Sequence, residues 1–124
     1  MVSFSESVKI CLRHKFFVCK GRATLAEYWW FQLFFFLTII SFNLFIYLVG
    51  LVVEIPIFFV YLYCIAIWTL FIPLFCVSVR RLHDVGHTGF FLLVGLIPII
   101  GGVILFFEFI SKSDSNNQYG PKTE

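Results

Sequence analysis

Three long apolar stretches, residues 28–53, 55–79 and 90–110, dominate the chain, and its polar residues gather in the short segments around them. A helix rises 1.5 Å per residue, so about 20 apolar residues cross a hydrocarbon core of roughly 30 Å. Each stretch is long enough, and the pattern predicts an all-α membrane protein. The connection at residues 50–56 is short, so the first two spans form an antiparallel hairpin. Pro56 falls near the first turn of the second span, where a missing N–H costs little. Pro73, deep in that span, frees the carbonyl of Thr69 and predicts a bend. The third stretch is interrupted by Gly95-Leu96-Ile97-Pro98-Ile99-Ile100-Gly101-Gly102. It reads as a broken helix that still crosses, or as a re-entrant hairpin that returns to the side it left. Irregular backbone at membrane depth must lie against protein or a water-filled cavity. A small chain has little protein to offer, which favours the crossing. The expected fold is an N-terminal amphipathic helix plus three transmembrane helices, the third broken by Pro and Gly.

Ahead of the spans, residues 3–18 carry helical spacing, with Phe4, Val8, Cys11 and Leu12 on one face. Ser3 and Glu6 fit a capping box, which satisfies two orphan amide donors. Lys9, Arg13, Lys15, Lys20 and Arg22 would meet anionic lipid if this helix lies among the headgroups. Gly21 ends the pattern, and Tyr28-Trp29-Trp30 marks the membrane boundary, where rings with a polar handle are favoured. Residues 1–124 thus form one membrane domain: a cytosolic or interfacial segment at 1–27, the three spans, and a polar tail at 111–124 that reads as a turn or extended strand without a core of its own.

Composition agrees with the pattern. The chain is 60% hydrophobic and 13% charged, with eighteen Phe and a mean hydropathy of +0.97. A soluble domain of this size has too much surface to hide so many rings. The net charge of +2 is too small to suggest a nucleic-acid partner. Its placement sets the orientation instead. The basic N-terminal segment, together with Arg80 and Arg81, belongs in the cytoplasm, and the turn bearing Glu54 belongs outside. Three crossings would put the tail outside. Residues 1–27 lack a continuous apolar core of the signal-peptide kind, so the first span is expected to act as an uncleaved anchor. The four cysteines form no C-x-x-C pair and read as free thiols packed as small apolar groups. Neither a metal nor a cofactor is expected.

The candidate chemistry lies in Arg80-Arg81-Leu82-His83-Asp84-Val85-Gly86-His87. One reading is an ion and hydrogen-bond network closing the helices at the cytosolic edge. Another is a lipid-phosphate site, since guanidinium forks suit phosphate. A metal held by His83 and His87 would need the helix to pass Gly86 and a third strong ligand that is not evident. His83-Asp84 could serve acid–base chemistry, but no activated nucleophile accompanies it. Glu27 sits at the matching edge of the neighbouring span and is expected to pair with Arg80 or Arg81. With Arg22 it completes the candidate set: Arg22, Glu27, Arg80, Arg81, His83 and Asp84. Asn43, in mid-span, wants an interhelical hydrogen-bond partner.

Gly21-Arg22-Ala23, Glu27-Tyr28-Trp29-Trp30-Phe31, Arg80-Arg81-Leu82-His83-Asp84 and Asn117-Gln118-Tyr119-Gly120, taken together, resemble the domain of unknown function 805 family of small bacterial inner-membrane proteins. The resemblance covers essentially the whole chain. Ala23-Thr24-Leu25-Ala26 departs from the family pattern, which has a basic residue before the Glu, and Phe90 stands where the family tends to Trp. The resemblance implies the bacterial inner membrane and brings no established activity. The expected function is a non-enzymatic helical bundle that self-associates or serves a membrane partner, with its N-terminus in the cytoplasm. A transporter or channel component is the first alternative. An anionic-lipid-binding protein or lipid-headgroup enzyme using residues 80–84 is the second.

Overall fold

A computed structural model describes residues 3–123. The chain begins with helix α1, Phe4–Lys9, capped as its sequence requires. The Ser3 amide donates to Glu6 Oε2 and the Glu6 amide donates to Ser3 Oγ, each at 3.3 Å. One wider π-helical turn, Ile10–His14, extends it. Phe4 meets Trp30 edge to face at 5.8 Å and Phe34 at 6.4 Å. Ser7, fully buried, donates to the carbonyl of Glu27 at 2.6 Å. The helix therefore lies along the first turns of α2.

Gly21, at φ 90°, turns the chain. Thr24 then caps α2, Leu25–Gly50, by accepting from the Glu27 amide at 3.0 Å. A short turn leads to Pro56, whose fixed φ opens α3, Ile57–Asp84. These two helices measure about 39 and 42 Å, enough to cross a bilayer, and both are strongly apolar. Three of their hydroxyls are satisfied internally: Thr38, Thr69 and Ser78 each donate to the carbonyl one turn back. Asn43 has the interhelical partner it needs, donating to Tyr63 Oη at 2.7 Å. Helix α3 runs through Pro73 and carries Arg80–Asp84 as its last turn. Gly86, at φ 88°, ends it.

The third apolar stretch does not make a third spanning helix. It divides into a 3-10 segment, Gly89–Leu96, and an eleven-residue helix α4, Ile100–Ile110. The latter is about 16 Å long, half of a bilayer core. Between them Ile99 takes φ 64°, a left-handed conformation rare for a β-branched residue, and reverses the chain. The two arms pack closely. A Cβ on Gly101 would lie 1.9 Å from the Val94 carbonyl oxygen. Both ends of the hairpin meet the end of α3: Gly89 faces Val79, His87 Nε2 lies 2.9 Å from Glu108 Oε2, and the Asp114 amide donates to the Asp84 carbonyl at 2.7 Å. The all-helical expectation holds, with two helices long and apolar enough to cross a membrane; a third crossing helix is not confirmed. The second arm packs against the first at Val94 and Gly95, while the turn itself, residues 95–100, is exposed.

All-helical packing leaves the core at one end. Cys11, Ala23, Tyr28, Phe31, Phe35, Leu74, Val77, Leu82 and Phe109 form it. The far halves of α2 and α3 expose Phe45, Tyr47, Ile57 and Phe58.

Gly101→Ala is expected to lower the thermal stability of the detergent-solubilised protein by about 1–3 kcal/mol, the range for overpacking. Gly102→Ala meets open space and should be neutral or stabilising by up to about 1 kcal/mol, since alanine favours the helix. Equal tolerance of both changes would contradict the hairpin packing.

Candidate functional site: a buried polar clasp

The last turn of α3 delivers five consecutive residues to one buried polar cluster. Arg80, Arg81, Leu82 and Asp84 are wholly inaccessible, and His83 nearly so. Arg80 Nη1 pairs with Glu27 Oε1 of α2, and its Nη2 donates to Cys11 Sγ at 3.8 Å. Of the two arginines, Arg80 is therefore the partner of Glu27. Arg81 turns the other way. It pairs with Asp84 Oδ2 and donates to the carbonyls of Ser111, Phe109 and Ala23.

Asp84 is the centre. Its Oδ1 accepts from Arg22 Nε at 2.8 Å and from Thr123 Oγ1 at 2.7 Å. Its Oδ2 accepts from Arg81 Nη1 and from the Ser113 hydroxyl. Four donors match the acceptor capacity of a carboxylate. Arg22 in turn reaches five acceptors: Asp84 Oδ1, and the carbonyls of Asp84, Asp114, Ser115 and Gly120 at 2.7–3.0 Å.

His83 Nδ1 lies 2.9 Å from the Gly21 carbonyl; a carbonyl only accepts, so Nδ1 carries the proton of this bond. The ring stacks on Tyr119 at 3.9 Å and 2°. Asn117 donates to the His83 carbonyl at 3.1 Å and pairs with Gly120 across a tight turn.

In this cluster three guanidiniums face two carboxylates, an excess of one positive charge. Backbone carbonyls offset it. The ends of α3 and α4 present their unsatisfied C-terminal oxygens, which carry the negative pole of each helix, to Arg22 and Arg81. Burial pushes the Cys11 thiol up to about 11, only partly opposed by the Arg80 guanidinium beside it. Arg80 Nε is the one buried side-chain polar atom lacking a partner among the described residues.

The six candidate residues therefore come together, but their arrangement limits their chemistry. With no exposed surface, Arg80 and Arg81 present no edge to a lipid phosphate. His83 and Asp84 do not bond each other; each is held by other groups. His83 and His87 have separate partners, and among the described residues no three His, Cys, Asp or Glu side chains are grouped for a metal. Five participants lay outside the sequence-derived set: Cys11 from the N-terminal segment, and Ser113, Asn117, Tyr119 and Thr123 from the tail. The signal for Asn117 and Tyr119 was the Asn117-to-Gly120 motif, which reads as a turn until Arg22 is placed against it.

Two apolar helices, a folded-back hairpin and a clasp at their common end define a small helical membrane protein. Residues 16–121 match the family model described as "Protein of unknown function (DUF805)", and the chain belongs to that family. It is 33% identical over 101 residues to "Inner membrane protein YhaI" of Escherichia coli strain K12, covering 81% of this chain and 80% of that protein. The protein of the same name from Escherichia coli O157:H7 matches equally. No solved structure matches. The matched region contains Arg22, Glu27, residues 80–84 and the Asn117–Gly120 turn, so the whole clasp except Thr123 and the Cys11 contact lies within the family's extent.

Glu27→Gln and Arg80→Gln should each lower stability in detergent by about 3–5 kcal/mol, because each strands a buried charge. The double variant should cost less than the sum, with a coupling of about 0.5–3 kcal/mol, whereas Glu27→Gln with Arg81→Gln should be closer to additive. Cys11 in the folded protein should react with maleimide at pH 8 at least tenfold more slowly than half-buried Cys19, since thiolate is the nucleophile. Equal rates would place Cys11 outside the core.

Proposed function

We propose that the protein is a non-enzymatic structural component of the bacterial inner membrane. It crosses twice, inserts a re-entrant hairpin from the cytosolic side, and keeps both ends in the cytoplasm. The observation that carries this reading is the saturation of Asp84. All four acceptor sites of its carboxylate are occupied by donors of the same chain. A polar site so occupied has nothing to offer a substrate, and its chemistry is that of a fastening. It joins the segment before α2, the end of α3, the end of α4 and the tail.

Charge placement supports the orientation. Lys9, Arg13 and Lys20 are exposed at the clasp end, and Glu54 stands at the opposite turn. Phe17, 73% exposed beside these cations, supports contact of the N-terminal segment with anionic headgroups. The exposed rings and branched side chains on the outer halves of α2 and α3 support a role exercised through lateral contact within the membrane.

Single cysteines at Ser5, Glu54 and Ser115, in a variant lacking the four native thiols, test the topology. An impermeant maleimide applied to intact spheroplasts should label Glu54→Cys alone. Permeabilisation should add Ser5→Cys and Ser115→Cys. Labelling of Ser115→Cys from outside would mean a third crossing and would overturn the reading.

A further inference from the structure

The outer half of the helix hairpin carries one polar pair that the clasp does not use. Asn43 of α2 is exposed, as is its hydrogen bond to Tyr63 of α3. The amide nitrogen of Asn43 donates twice, to the Ile39 carbonyl at 2.8 Å and to Tyr63 Oη at 2.7 Å. This fixes the amide orientation. Turned over, its oxygen would face the Ile39 carbonyl oxygen, acceptor against acceptor. Two valences then remain without a partner among the described residues: Asn43 Oδ1, an acceptor, and the Tyr63 hydroxyl proton, a donor. Asn43 lies seven residues from Gly50, about 10 Å of helix, and Tyr63 lies six residues from Ile57, about 9 Å. Both fall inside the hydrocarbon, where a lipid tail supplies neither donor nor acceptor.

We propose that this face binds a second copy of the chain. The proposal rests on the two-crossing topology given above. All copies share one orientation in a membrane, so a two-fold axis relating two of them runs along the membrane normal and maps every atom to its own depth. Reciprocal bonds across such an axis require a free donor and a free acceptor at one depth. Asn43 and Tyr63 meet that condition because they already bond each other across neighbouring helices. Tyr63 Oη of each copy donates to Asn43 Oδ1 of the other, and both valences are filled twice over.

The surrounding surface suits the same occupant. A cleft of about 490 Å³ opens between the outer halves of α2 and α3, lined by Phe42, Phe45, Val49, Phe59 and Tyr63. Ile40, Asn43, Leu44 and Tyr47 are exposed at the three- and four-residue spacing of one helix ridge. The ridge of one copy lies against the cleft of the other, so apolar packing accompanies the two hydrogen bonds.

The test is self-association in liposomes, read by energy transfer between donor- and acceptor-labelled protein over a range of protein-to-lipid ratios. Transfer should saturate as expected for a dimer. Tyr63→Phe removes only the hydroxyl, and Asn43→Leu removes the amide. Each should weaken association about five- to tenfold, the effect of losing two interhelical hydrogen bonds of average strength. Because each change removes the same two bonds, the double variant should be no weaker than the more affected single variant. A Ser5→Cys, Ser115→Cys double variant in the same liposomes, treated with an impermeant maleimide, should be labelled at both thiols or at neither, which checks that both ends share one side. With that topology intact, a monomer at every ratio would overturn the proposal and leave the cleft to a lipid chain or another protein. A dimer indifferent to both substitutions would overturn it as well.

Discussion

A carboxylate without water organises this molecule. Asp84 ends a helix of 28 residues and is completely enclosed. An ionised group so placed is tolerated only when its lone pairs are filled and its charge is opposed. Four donors fill them, and they arrive from three parts of the chain: Arg22 before α2, Arg81 from the preceding turn, Ser113 and Thr123 from the tail. Satisfying Asp84 therefore determines where the N-terminal segment and the tail must lie. The arginines carry the constraint further. Arg22 gathers the carbonyls of Asp114, Ser115 and Gly120, and Arg81 gathers those of Phe109 and Ser111. The end of α4 is thereby brought back to the end of α3, and the third apolar stretch has to fold on itself.

Much of this end of the molecule could be read from the chain. The capping box of Ser3 and Glu6 is local and was visible in the residue spacing. Pairing of Glu27 with an arginine followed from two charges placed at one membrane edge on antiparallel neighbours. An interhelical partner for Asn43 followed from the cost of an unpaired amide in hydrocarbon. What could not be read was the role of the tail. Arg22 is bound there through backbone carbonyls, which every residue possesses and no pattern reveals. The tail has no apolar periodicity because its contribution is polar and extended.

The third stretch was hard to read for a related reason. Residues 90–110 have the length and hydropathy of a span, and those quantities do not register direction. The reversal depends on a single left-handed residue, Ile99, and on Gly101, whose missing side chain lets α4 approach the Val94 carbonyl. Pro98 and the glycines announced a break, but the choice between crossing and return rested on how much protein was available to shield the backbone. The second arm covers only the Val94–Gly95 stretch, and the turn at residues 95–100 stays exposed. One consequence is architectural. With no third long helix beside them, the outer halves of α2 and α3 stand as a bare pair, which is why the Asn43–Tyr63 bond is exposed.

The central claim is that Asp84 holds the segment before α2 and the tail together as one unit. Hydrogen exchange on Asp84→Asn tests it most directly. The isosteric amide removes the charge and sets an NH2 donor against one of the two arginines, Arg22 or Arg81, where a carboxylate oxygen had accepted. Two amides report: Ala23, which donates to the Arg80 carbonyl at 3.0 Å, and Asp114, which donates to the Asp84 carbonyl at 2.7 Å. The account predicts protection of both in the native protein and joint loss in the variant, while amides of α3 between residues 60 and 75 stay protected. Unchanged exchange at both sites, or loosening of the tail alone with Ala23 still protected, would contradict it.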